Sequence, residues 1–210
     1  MNTKTVALII TLSALTVVLS PAFLGPAIPA PFLPVVSYHI YEIPIVVAFF
    51  LIGPKYGFTV AILNAIVLQA VFPNSPFIRP LPNLLAVSSM LVGVYFAYKL
   101  VARRVRQENA RQERRLTILA TASGILCRVT VMETLNYVMI QFAVNTAGVQ
   151  LPPMILGYFV LLAVFDITLT LYTIPTGYLI ARTISKNLNV GNKIIEKADY
   201  QPPAPRPEKN

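Results

Sequence analysis

A small set of polar side chains interrupts stretches that are otherwise apolar. Glu133, Asn136 and Tyr137 are spaced i, i+3 and i+4, so on a helix they share one face, with Gln141 a turn beyond Tyr137. Asp166, Thr170 and Thr173 form a second polar stripe. Asn64 and Gln69 lie in a third stretch, Asn83 follows Pro80-Leu81-Pro82, and His39 and Glu42 flank Tyr41 at the head of another apolar run. Arg128 shares its stretch with Glu133. An ionisable group at the centre of a bilayer costs about 2.5–3.5 kcal/mol on insertion scales, so each of these needs a partner or a purpose. For Arg128 the reading is structural, an interhelical pair with Asp166 or Glu133. For the Glu133, Asn136 and Tyr137 face, together with Asn83, it is the wall of a polar cavity. Glu42 reads either as a member of that site or as a solvated loop residue.

These groups suit binding better than catalysis. Carboxylates accept hydrogen bonds, and amides donate and accept, but no nucleophile–base pair accompanies them. There is no H-E-x-x-H, no G-x-S-x-G and no G-x-x-x-x-G-K-[ST], and Gly53-Pro54-Lys55-Tyr56-Gly57 is too short for a nucleotide loop. A single histidine and a single cysteine, Cys127, exclude an internal disulfide and a cysteine metal cage. The expectation is a protein that is not an enzyme, with no catalytic residue, metal or cofactor.

The elements that must position these groups follow from composition. Of 210 residues 56% are hydrophobic and only 12% charged, against about 25% charged in a soluble domain. Mean hydropathy is +0.67. At about 20 residues per spanning helix, the fold class expected is an all-α integral membrane protein with six transmembrane helices, over 6–23, 35–52, 56–72, 81–102, 116–144 and 153–181. These make one membrane domain over 1–185, and 186–210, polar and Pro-rich, is expected to be a disordered cytoplasmic tail. Five prolines between Pro21 and Pro34 favour an extended path there.

The basic residues orient the chain. With both termini cytoplasmic, fifteen of the seventeen lysines and arginines fall on the inner side; Arg79 lies outside and Arg128 inside a span. That is the positive-inside bias, and it places the protein in the cell membrane as a multi-pass protein. The net charge of +9 then reflects orientation and contact with anionic lipid, chiefly from Lys99 to Arg115, rather than nucleic acid. One alternative is a cleaved signal peptide at the N-terminus, which would leave five helices. Gly57, Ala61 and Ala65 at four-residue spacing allow a close helix contact, inside the bundle or against another membrane protein.

Four stretches give the chain a family likeness. Tyr41-Glu42-Ile43-Pro44 running to Gly53-Pro54 and Gly57, Pro80-Leu81-Pro82-Asn83-Leu84-Leu85-Ala86, Arg128 and Met132 to Leu135-Asn136-Tyr137, and Val164-Phe165-Asp166-Ile167 resemble the substrate-binding S components of energy-coupling-factor (ECF) vitamin transporters. The riboflavin-specific branch is the most similar. The resemblance covers about 35–185. It departs from the family at Thr168-Leu169-Thr170, where a ligand-facing lysine is usual, and at Ala7-x-x-x-Thr11, where the first helix usually carries Ala-x-x-x-Ala. It implies a subunit that captures a small vitamin, riboflavin or a related heterocycle, from outside. Two partner ATPases and a coupling transmembrane protein drive the uptake. The residues implied for the ligand are Glu42, Asn83, Glu133, Asn136, Tyr137, Asp166 and Thr170, and the loop from Pro21 to Pro34 would be a lid or a plain connector. The rival functions are a non-transporting six-helix scaffold of the rod-shape-determining kind and a small intramembrane enzyme.

Overall fold

The computed structural model describes residues 3–21, 23–71, 80–102, 110–147 and 155–188. Among them are six helices and one hairpin: α1 (Thr3–Val18), β1 (Ile28–Ala30), β2 (Leu33–Tyr38), α2 (Glu42–Leu51), α3 (Pro54–Val71), α4 (Pro80–Ala102), α5 (Ala110–Ala147) and α6 (Ile155–Leu188). Helices α3, α4, α5 and α6 are long and apolar enough to cross a membrane, which makes this a multi-pass membrane protein. Helices α1 and α2 are apolar but shorter.

Proline sets several boundaries. Pro54 and Pro80 open α3 and α4, where the missing N–H costs nothing and the fixed φ favours the first turn. Pro44 sits in the first turn of α2 for the same reason. Between α2 and α3 the chain turns at Gly53, whose φ of 139° is accessible only without a side chain.

The second helix is shorter than the sequence suggests. Residues 35–52 read as one apolar span, but Leu33–Tyr38 is a strand and the helix begins at Glu42. Pro34 precedes the β-branched Val35 and Val36, and an apolar run of this length cannot be assigned to helix or strand by hydropathy alone. The strand pairs antiparallel with β1, matching Ile28 with Tyr38 and Pro29 with Ser37. The proline-rich segment is thus partly an ordered hairpin. Helix α6 runs on to Leu188, so the start of the expected tail is helical; the remainder, like residues 103–109 of the basic connection and Arg79, lies outside the described residues.

Helix α2 is the centre of the bundle. Every residue in it except Ile43 is buried, enclosed by α1, α3, α4 and α6, as expected of a helix that is apolar all round. Two close approaches tighten the assembly. A Cβ on Gly57 would stand 2.7 Å from that of Phe49, so this small-residue position serves α2–α3 packing. On α4, a Cβ on Gly93 would stand 2.4 Å from the Ser123 carbonyl oxygen of α5, and Ser123 Oγ donates to the Gly93 carbonyl at 2.8 Å. Helix α5 buries Leu116, Ala120, Thr121, Gly124 and Arg128 in succession; beyond Arg128 none of its described side chains is buried.

Candidate functional site

The first turn of α2 places Glu42 at the centre of the bundle, wholly buried, with the positive end of the helix dipole behind it. Arg128 of α5, 2% exposed, meets it end-on. Nη1 donates to Oε2 at 2.6 Å and Nη2 to Oε1 at 3.1 Å. The third edge of the guanidinium is taken by α6, where Arg128 Nε donates to Asp166 Oδ1 at 2.8 Å. Met90 Sδ of α4 lies 3.8 Å from Nη1. One arginine therefore joins three helices with a fourth in contact. The bidentate fork makes the strongest kind of ion pair, and its value lies in specifying the assembly, because burying the three charges offsets much of the Coulombic gain.

The hairpin closes over this cluster. His39 Nε2 lies 3.0 Å from Glu42 Oε1, and His39 Nδ1 lies 3.0 Å from the Ser37 carbonyl. The imidazole stacks on Tyr41 at 4.3 Å, and Tyr172 donates to the His39 carbonyl at 2.7 Å. Tyr38 bonds Thr168 at 2.8 Å and packs on Phe165 at 5.1 Å between centroids. Ala30, Phe165 and Leu169 form a small apolar core beneath the hairpin. Tyr41 donates to Asn83 Oδ1 at 2.5 Å, which ties the chain entering α2 to the first turn of α4.

Of the seven residues singled out from the sequence, the structure brings Glu42 and Asp166 together through Arg128. Thr170 lies one turn from Asp166 on the same face, fully buried, and its hydroxyl has no partner. Asn83 joins through Tyr41. Glu133 is half-buried, within electrostatic reach of Asp166, and its Oε1 has no partner. Asn136 is half-buried on the same helix. Tyr137 stands apart: it is 57% exposed, so the three α5 residues do not share one environment. The pairing of Arg128 with Asp166 is present, and the pairing with Glu133 is not. Glu42 is no solvated loop residue.

Sequence reasoning did not place Arg128, His39, Tyr38, Tyr41 or Tyr172 in the site. The available signal was a matter of depth. Because the hairpin occupies the mouth of the bundle, α2 starts deep, and Arg128 lies about 27 Å along α5 from Ala110 at 1.5 Å per residue. The two therefore meet. Among the described residues no group of three or more His, Cys, Asp or Glu side chains is arranged to hold a metal. A separate groove of about 360 Å³ between α3 and α4 is lined by Ile62, Ala65, Ile66, Leu81 and Leu84. It is almost wholly apolar and contains none of the seven residues.

No family model matches the chain, and no curated protein matches it. Among solved structures, the S component of a bacterial ECF transporter has a similar fold, with a TM-score of 0.64 and 24% identity, over 88% of this chain and 97% of that one. At that identity the likeness is one of fold.

Proposed function

We propose that this protein is the substrate-binding subunit of an ECF-type transporter of the cell membrane. It captures a small vitamin, riboflavin or a related heterocycle, at the hairpin end of the bundle, which faces outward, while two ATPases and a coupling membrane protein supply the power. The observation that carries this reading is the polar face beside the Glu42–Arg128–Asp166 cluster. There Glu133 has an unpartnered oxygen and Asn136 is half-buried, in a part of α5 that buries no side chain. A bundle held together for its own sake has little reason to keep unsatisfied polar groups at that depth. The fold shared with an S component supports the same reading, and the hairpin over the cluster suits a lid.

Asn136→Leu tests it. A site built to hydrogen-bond its ligand loses heavily when one partner is removed. Isothermal titration of the detergent-purified variant against water-soluble vitamins should show binding weakened by about a hundredfold or more, with a near-normal melting curve. Unchanged affinity, or a loss of stability alone, rejects the pocket on this face. One observation favours the scaffold alternative. Glu42, Arg128 and Asp166 pair with one another without needing a ligand. Purification from rich medium with no vitamin retained would support that reading.

A further inference from the structure

The charges around the site constrain what it binds. The charge of Arg128 is committed: three of its five N–H donors go to carboxylates through Nε, Nη1 and Nη2. Two acids share that one cation, so with both ionised the triad carries an excess negative charge. His39, committed to Glu42 through Nε2, brings the sum to zero when protonated. Glu133 is not yet counted, and its Oε1 has no partner. When ionised it is an acceptor with nothing to accept from. The Thr170 hydroxyl, wholly buried one turn from Asp166, is likewise unpartnered.

No other cation is at hand among the described residues. Among the described residues every other lysine and arginine stands at the far ends of the helices: Lys4 opens α1, Lys55 opens α3, Arg111, Arg114 and Arg115 open α5, and Lys99, Arg182 and Lys186 close α4 and α6.

We propose that the site selects ligands that are uncharged or positively charged and present N–H or O–H donors to Glu133 and Asp166, and that it excludes anions. This deepens the function proposed above and rests on it. The physical reason is that a carboxylate or phosphate brought here meets the excess negative charge of the ionised acids at low dielectric and finds no uncommitted cation among the described residues, whereas a cation or an N–H edge satisfies an acceptor that the fold leaves open.

The test is isothermal titration of the purified full chain, freed of retained ligand, with two sets of probes. Thiamine, riboflavin, pyridoxine and nicotinamide are cationic or uncharged; nicotinate, biotin and pantothenate are anionic. The expected result is tight binding within the first set and every anion weaker by at least about a hundredfold. The ligand that binds should lose about tenfold or more in Glu133→Gln, because its donor then meets a neutral amide. An anion bound as tightly as any member of the first set overturns the selectivity and leaves the transporter reading standing. Full retention of affinity in Glu133→Gln overturns the role given to Glu133. Binding of no probe in either set overturns the function proposed above, and this inference with it.

Discussion

Arg128 is the residue on which the buried polar cluster depends. Its guanidinium compensates carboxylates on two other helices, so removing it leaves both acids buried without a counter-charge. Arg128→Met should cost about 3–5 kcal/mol, the usual penalty for breaking a buried pair from one side. Replacing all three charges together, Glu42→Leu with Arg128→Met and Asp166→Leu, should recover most of that stability, because buried ion clusters are often matched by apolar residues of similar volume. Melting curves in detergent compare the two. A triple variant as unstable as the single one would mean that the cluster does more than neutralise its own charges.

At the scale of elements, the long helices were legible and the packing around α2 was not. Four stretches of 18 or more residues could be read from hydropathy because nothing but a helix satisfies so long an apolar backbone in lipid. Glu42 to Leu51 could not, because a ten-residue apolar helix looks in sequence like the end of a longer one. Its true start depends on the hairpin, and so on Pro29, Pro34 and the apolar surface of Phe165 and Leu169. The site was half legible for the same reason. Glu133, Asp166 and Asn83 declared themselves as polar groups out of place, and Asp166 could be named as a partner of Arg128, but the second partner, Glu42, could be found only once its depth was known. The α4–α5 crossing gives an element-scale prediction. Gly93→Ala sets a methyl group against the Ser123 carbonyl, a backbone atom that cannot step aside. It should destabilise by about 1–3 kcal/mol. Gly157→Ala meets nothing within 4 Å on α6 and should be neutral or stabilising by up to about 1 kcal/mol. Equal melting temperatures for the two variants would contradict the close approach.

At the scale of the whole molecule, none of the described elements resembles an engine. A bundle without a nucleotide loop can bind a solute but cannot itself use ATP to concentrate it. Under the transporter reading, accumulation in proteoliposomes should require ATPase and coupling subunits together with this chain. Accumulation by this chain alone would point instead to an ion-coupled carrier.

The part of α5 beyond Arg128, which buries no described side chain, sets a gradient in the molecule. In detergent, backbone amides from Leu116 to Arg128 should exchange with the cooperative core, while those from Val131 to Thr146 should open at lower cost, because fewer side-chain contacts are lost. Hydrogen–deuterium exchange should therefore run fast along the second stretch and slow along the first. A bound solute would act there as the missing piece of interior. Its own surface would supply the packing that the sequence withholds, so exchange from Val131 to Thr146 should slow on saturation while the Arg128 level changes little. Occupancy, in that sense, would be the last step of folding.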